Sequence, residues 1–317
     1  MKYLLFSILF ISIVPIFGQD YKHIDEAAQK IVHWRFQGVN SLARKLDKHA
    51  ETDEEKARII FSWITDHVKY HVKGLEKPRI AIRSTKKTLW RRKAVCSGYA
   101  SLYRDLANKM GLDCELVSGY ARNSYRKIGF LSHGENHAWN RVKIDSSWVL
   151  MDPTWGAGFV NFNTNRFNKT FQEHYYRADP TPFQMDHQEK DFALDWSKEA
   201  FRRAPHPGKG LYNRDFVEAF PSDGIITANQ GEKMRFTLTF EEKPQSRMIR
   251  AFFLPIDTTM NKEDLPRPQS LSPKIEGNAI HLDLKIPKEG KYHILFFEKD
   301  TYQIGYRLHS INPYAGM

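Results

Sequence analysis

The rhythm of apolar residues changes once, near Gly111, and that change limits the possible folds more than any other feature. Before it, apolar side chains recur at intervals of three and four. Ile24, Ala27, Ala28, Ile31 and Val32 mark one helical stretch over 24–34, and 41–48 reads as a short second helix. Thr52-Asp53-Glu54-Glu55 has the capping-box pattern, a hydroxyl followed three residues later by a carboxylate. It introduces Ala57, Ile60, Phe61, Ile64 and Val68 on one face. The basic segment 69–93, with Pro78 inside it, is expected to end in a short helix over 85–92. From Cys96, helical spacing continues through Tyr99, Ala100, Tyr103, Leu106, Ala107 and Met110, and Gly111 suits the left-handed stop. Beyond it the period becomes two. CELVSGYA from Cys114, HAWNRVKI from His137 and WVLMD from Trp148 read as strands, with Asp145-Ser146-Ser147 as a turn. Helices followed by an antiparallel sheet define an α+β domain.

The stretch APHPGKG, 204–210, is rich in Pro and Gly and reads as a linker. After it alternation dominates: Met234, Phe236, Leu238 and Phe240, then Ile280, Leu282, Leu284 and Ile286, then Tyr302, Ile304, Tyr306 and Leu308. Such runs separated by Gly and Pro turns predict a small all-β sandwich, Ig-like in type. The expected organisation is therefore a first domain over 19–204, a linker over 205–210 and the sandwich over 211–317. Residues 1–18 read as a signal peptide: Lys2, an apolar run from Tyr3 to Phe17 broken by Pro15, then Gly18. The run is too short for a membrane span and carries no cysteine for a lipid anchor, so a secreted or periplasmic protein is expected. The net charge of +11 is spread through the chain rather than gathered with aromatics. That pattern gives no nucleic-acid partner and leans weakly toward anionic envelope surfaces.

The chain has two cysteines, Cys96 and Cys114, so one disulfide is possible in an oxidising compartment. A second reading competes with it. Cys96 opens a helix, where the partial positive charge and unpaired N–H groups favour a thiolate and can also hold an oxyanion. His137 at a strand start can move the thiol proton, and Asp152 at the end of the next strand can fix the imidazole. Phosphate-loop and zincin motifs are absent. His133-x-Glu135-x-His137 is a weak metal-site candidate without an evident fourth ligand. No cofactor is called for. Trp139, Trp148 and Trp155 read as core and cleft wall rather than as a ligand cage.

Three words in the chain, AVCSGYASLYRDLANKMGLDCELVSGYAR, ENHAWNRVKI and WVLMDPTWGAG, together resemble the transglutaminase-like superfamily, a papain-related cysteine fold. The similarity is to its kyphoscoliosis-peptidase branch, with a G-V-C-x-G-Y-A helix start, an H-A-W-N strand and a D-x-T-W-G element. YYRADPTPFQMDHQEKDFALDW, 175–196, resembles the tail of that branch, so the likeness covers 52–196. The chain departs from the pattern at Ala94, Ser97 and Pro153 without losing a catalytic group. The resemblance implies Cys96 as nucleophile, His137 as base and Asp152 as orienting carboxylate. It also implies acyl transfer from amides of proteins or peptides through a thioester, and it favours a free Cys96 over the disulfide. Hydrolysis is the expected outcome, with cross-linking or a catalytically silent binding module as alternatives.

Overall fold

The computed structural model describes residues 20–34, 36–161, 164–191, 197–212, 215–244, 248–256 and 267–313. The 1–18 leader expected from sequence and Trp196 lie outside them. Helices Lys22–Lys30, Val39–Asp47, Asp53–His67, Thr85–Arg91 and Cys96–Lys109 form one layer. Each apolar stripe faces inward: Ile24, Ala28, Leu42, Leu46, Ile60, Phe61, Trp63, Ile64, Tyr99, Tyr103 and Leu106 share one core. The capping box forms in full, with Thr52 and Glu55 each bonding the other's backbone N–H. Gly111 takes a φ of 85° just past the Cys96 helix, where a Cβ would be strained.

The sheet beside this layer has the strand order Ser147–Met151, His137–Ile144, Cys114–Ala121, His187–Glu189, and every pair is antiparallel. It is buried on the face toward the helices and, on the other face, around Val117 and Trp139 but not at Glu115 and Trp148. Val142, Ile144 and Met151 meet the helices, whereas Val117 and Trp139 meet Ala178, Phe183 and Tyr212 on the other side. Two pieces of the basic segment, Lys69–Tyr70 and Lys93–Ala94, pair in parallel, an arrangement that periodicity had not indicated.

The C-terminal region is two sheets around one core. One runs Phe216–Phe220, Lys233–Phe240, Ala279–Lys285, Lys274–Glu276. The other runs Ile225–Asn229, Thr301–Ile311, Gly290–Glu298, Ile249–Pro255, Gln269–Leu271. The alternating residues interdigitate between them, Phe236, Leu238, Leu282 and Leu284 against Ile294, Phe296, Ile304 and Tyr306. The 205–210 segment is not a solvated tether. His206–Pro207 adds a short strand to Thr301–Ile311, and Ala204, Pro205, His206, Pro207 and Gly208 are all buried. Arg122, itself buried, explains this: its guanidinium donates to Ala204 O at 2.9 Å and Pro205 O at 3.2 Å, and also to Met185 O. Three carbonyls gathered on one buried cation give the connection a fixed path.

Candidate active site

Cys96 is the first residue of its helix, after Val95 at the N-cap. Gly98 and Tyr99 return their N–H groups to Val95 O at 2.8 and 3.2 Å, and the Ser97 N–H is directed at the Cys96 sulfur. Gly98 is required here. A Cβ on it would lie 2.6 Å from Ile82 O and 2.7 Å from Ala94 Cβ, so the loop before Cys96 packs directly on the helix. Three polar ties hold that helix in place. Tyr99 donates to Val68 O at 2.6 Å and Tyr103 to Ala57 O at 3.1 Å. Asn140, fully buried in the HAWN strand, donates to Ala100 O at 3.0 Å and Glu115 O at 3.1 Å.

The hairpin delivers the other two residues. Strands His137–Ile144 and Ser147–Met151 are joined by Asp145 and Ser146, both at positive φ, a two-residue turn whose twist matches the strands. Asn140 faces Met151, so one further step sets Trp139 opposite Asp152. His137 is the diagonal neighbour on the same face. The chain leaves the strand at Asp152, which caps the short helix Pro153–Gly156 by accepting from Thr154 N at 2.8 Å and Trp155 N at 3.1 Å through Oδ1. That turn frees Oδ2 for His137 Nε2 at 2.7 Å. The His137 ring has its other nitrogen left for Cys96, whose thiol lies within hydrogen-bonding reach.

Burial opposes every charge in this trio, and the partners win. Burial pushes the Cys96 thiol up, but the hydrogen bond and charge of His137 hold it below the ordinary thiol value. Burial pushes His137 down, yet Asp152 and Cys96 raise it to about 10. Asp152 is driven upward by burial and brought well below the usual carboxylate range by His137 and His187. The arrangement therefore favours thiolate and imidazolium side by side, the poised form of a cysteine nucleophile.

The structure brings together all three residues expected from sequence and leaves both thiols free, with Cys114 buried under the sheet and held well above its ordinary value by burial. It does not assemble the His133-x-Glu135-x-His137 ligand set. His133 and Glu135 face solvent, Glu135 pairs with Lys190 at 3.2 Å, and His137 points inward. Among the described residues, the group with metal-ligand spacing is His137, Asp152 and His187, their atoms within 4.8 Å of one another. These atoms are already spent on hydrogen bonds among themselves. Trp139 and Trp155 line the site, ring centroids 6.1 and 4.9 Å from His137. Trp148 departs from the expectation: it is 47% exposed, on the outer face of the hairpin.

Sequence reasoning missed four residues. His187 Nε2 reaches Asp152 Oδ2 at 3.3 Å, Asp186 Oδ1 takes His187 Nδ1 at 2.5 Å, and Tyr212 spans both Asp186 oxygens at 3.0 and 3.1 Å. Tyr70 sits close enough to Cys96 and Asp152 for their charges to add to burial in raising its phenol. His187 starts a three-residue strand and Tyr70 ends a two-residue one, both too short for a periodic signal. The Met185-Asp186-His187-Gln188 word was the available sign.

A half-buried Cys96 at a helix start and a buried His137–Asp152 pair on an antiparallel hairpin make an arrangement that fits a transglutaminase-like domain. Residues 40–153 match the profile of the Transglutaminase-like superfamily. The chain is 32% identical over 213 residues to kyphoscoliosis peptidase of Mus musculus, covering 65% of this chain and 32% of that protein. With kyphoscoliosis peptidase of Homo sapiens the identity is 30% over 230 residues, covering 70% of this chain and 34% of that protein. The chain belongs to the transglutaminase-like superfamily, on its kyphoscoliosis-peptidase-like branch, and spans about a third of the length of these relatives. A solved structure described as a TGase is 17% identical, with a TM-score of 0.30 over 52% of this chain and 40% of that one, and adds no argument.

Proposed function

We propose that this chain is an exported, cysteine-dependent acyl-transfer enzyme that hydrolyses amide bonds of proteins or peptides. The observation that carries the reading is the Cys96 thiol at a helix start, within reach of a His137 ring whose Nε2 is held by Asp152. In the reaction the Cys96 sulfur attacks the amide carbonyl, and the oxyanion is met by the Cys96 N–H at the helix start. The C–N bond breaks as His137 gives its proton to the leaving amine, leaving a thioester. Water, losing a proton to His137, then releases the acid and restores the thiol. The name peptidase borne by both relatives supports water as the second nucleophile. Cross-linking differs only in that a lysine amine takes the place of water. Export rests on the 1–18 run, and within a cell envelope the substrate would be a protein or peptide component of it.

The test begins with iodoacetamide labelling of Cys96 between about pH 5 and 9, which reads thiolate without needing a substrate. Fast labelling well below the ordinary thiol range is expected, slowed in His137→Ala. A denatured protein offered with a fluorescent primary amine then separates the outcomes. Peptide release dependent on Cys96 means hydrolysis, and amine incorporation means transamidation. Undiminished function in Cys96→Ala would mean a silent binding module.

A further inference from the structure

Asp152 is unusually well occupied for a catalytic carboxylate. Oδ1 takes two backbone N–H groups, and Oδ2 lies within hydrogen-bond distance of two histidine Nε2 atoms, from His137 at 2.7 Å and His187 at 3.3 Å. His187 has no exposed side-chain surface, stacks on Phe183 at 3.9 Å between centroids, and touches the rings of Trp139 and Trp155. Its orientation is thus fixed by packing as well as by hydrogen bonds.

Proton accounting decides what His187 does. With Asp152 ionised, an Nε2 lone pair aimed at Oδ2 would be repelled, so Nε2 carries the hydrogen and donates. Nδ1 faces Asp186 Oδ1 at 2.5 Å, so one more proton must lie on that contact. It sits on His187, with Asp186 ionised, or on Asp186, with His187 neutral. In both cases the pair is neutral overall and His187 still donates to Asp152. Tyr212, from beyond the 205–210 connection, donates its hydroxyl to Asp186 and holds the far end. The titratable and charged groups near these residues are Asp152 and His206 beside His187, and Arg122, Tyr175 and Tyr302 beside Asp186.

We propose that His187 is a positioning residue for Asp152 and that Asp186 and Tyr212, the latter just ahead of the C-terminal sheets, hold it. This rests on the cysteine-nucleophile reading above. Two N–H donors on Oδ1 fix the plane of the carboxylate, and His187 fixes the remaining oxygen on the side from which His137 must be met. Without it Asp152 has one fewer donor, the His137 tautomer is less firmly set, and less of Cys96 is thiolate.

The experiment is the pH profile of iodoacetamide labelling at Cys96 in the full chain, with thermal unfolding recorded alongside. His187→Phe keeps a ring on Phe183 and removes the donor, whereas His187→Gln keeps an N–H donor near the Nε2 position. The labelling midpoint is expected to rise by about one pH unit in His187→Phe, with about tenfold slower labelling below it, and to return toward the parent value in His187→Gln. Tyr212→Phe removes only a hydroxyl, and a smaller rise is expected. If His187→Phe does not fold, Tyr212→Phe decides. A parent-like or lowered midpoint, even with a fall in Tm, overturns the inference while leaving the nucleophile reading standing. An ordinary thiol profile in the unaltered protein overturns both.

Discussion

Asp152 shows how one side chain can be both structural and chemical. Its Oδ1 closes the first turn of Pro153–Gly156 and its Oδ2 meets His137. In Asp152→Asn the cap partner survives, but the charge is lost and an amide N–H can face the imidazole. The wrong His137 tautomer is then favoured, as in other Cys- and Ser-based triads. Labelling of Cys96 at about pH 6 should fall by roughly tenfold or more, with a Tm change smaller than that of a large-to-small core substitution. A pH profile unchanged by Asp152→Asn would remove the carboxylate from the site. Cys96, His137 and Asp152 could be read from sequence because each stands at the end of an element with a clear period. Asp186, His187 and Tyr212 could not, because what joins them is tertiary: a three-residue edge strand and a residue from the far side of a buried connection. The likeness of 175–196 to the branch tail pointed to the segment without naming its histidine.

At the scale of elements, the amphipathic helices and the long strands were legible within a few residues, since periodicity reports on a buried face. The short parallel pair Lys69–Tyr70 with Lys93–Ala94 turns only Tyr70 and Ala94 to the core, one residue from each strand, too few to make a pattern. Two elements carry the site's precision. In the hairpin, Asp145 and Ser146 have φ of 46° and 78°, conformations that cost a non-glycine residue. The pair Asp145→Asn and Ser146→Gly fits the turn better and should stabilise the protein by about 1 kcal/mol in urea unfolding without altering Cys96 labelling. A loss of stability would show that the turn is set by something other than backbone preference. In the neighbouring pair, Gly119 lies opposite both His137 and Glu189. A Cβ there would come within 2.1 Å of Gln188 O and 2.8 Å of the Trp139 ring. Gly119→Ala must push the His187–Glu189 strand away, so it should cost about 2 kcal/mol or more and raise the Cys96 labelling midpoint together. Loss of stability with an unmoved midpoint would separate strand placement from the site.

In the whole molecule, the two cores are joined through polar groups that sequence patterning does not report, because a buried histidine or arginine looks like a surface one until its neighbours are known. Arg122 gathers the Ala204 and Pro205 carbonyls where the 205–210 connection begins, His206 Nε2 lies 3.0 Å from Arg122 O, and the His174 ring lies tilted against those of Tyr175 and Tyr212. Burial, reinforced by Arg122, takes His206 down to about 3, and burial with Lys209 takes His174 down to about 4. His293, under Arg307 and Arg126, is likewise down to about 4. Each is neutral in the folded protein where the unfolded chain already binds a proton, near pH 6.5. The unfolded state therefore holds more protons as pH falls from 6.5 toward 4, and folding stability falls with it. His137 acts in the opposite sense. Raised to about 10, it contributes fully below 6.5 and loses its contribution as pH rises toward 10. Acid unfolding should thus begin in the histidine range, before the carboxylates protonate, and amount to a few kcal/mol by about pH 4. His206→Gln, which can still donate to Arg122 O, should flatten that slope measurably in urea titrations between about pH 4 and 7. A slope unchanged by the substitution would mean that the seam between the cores opens to water before His206 protonates.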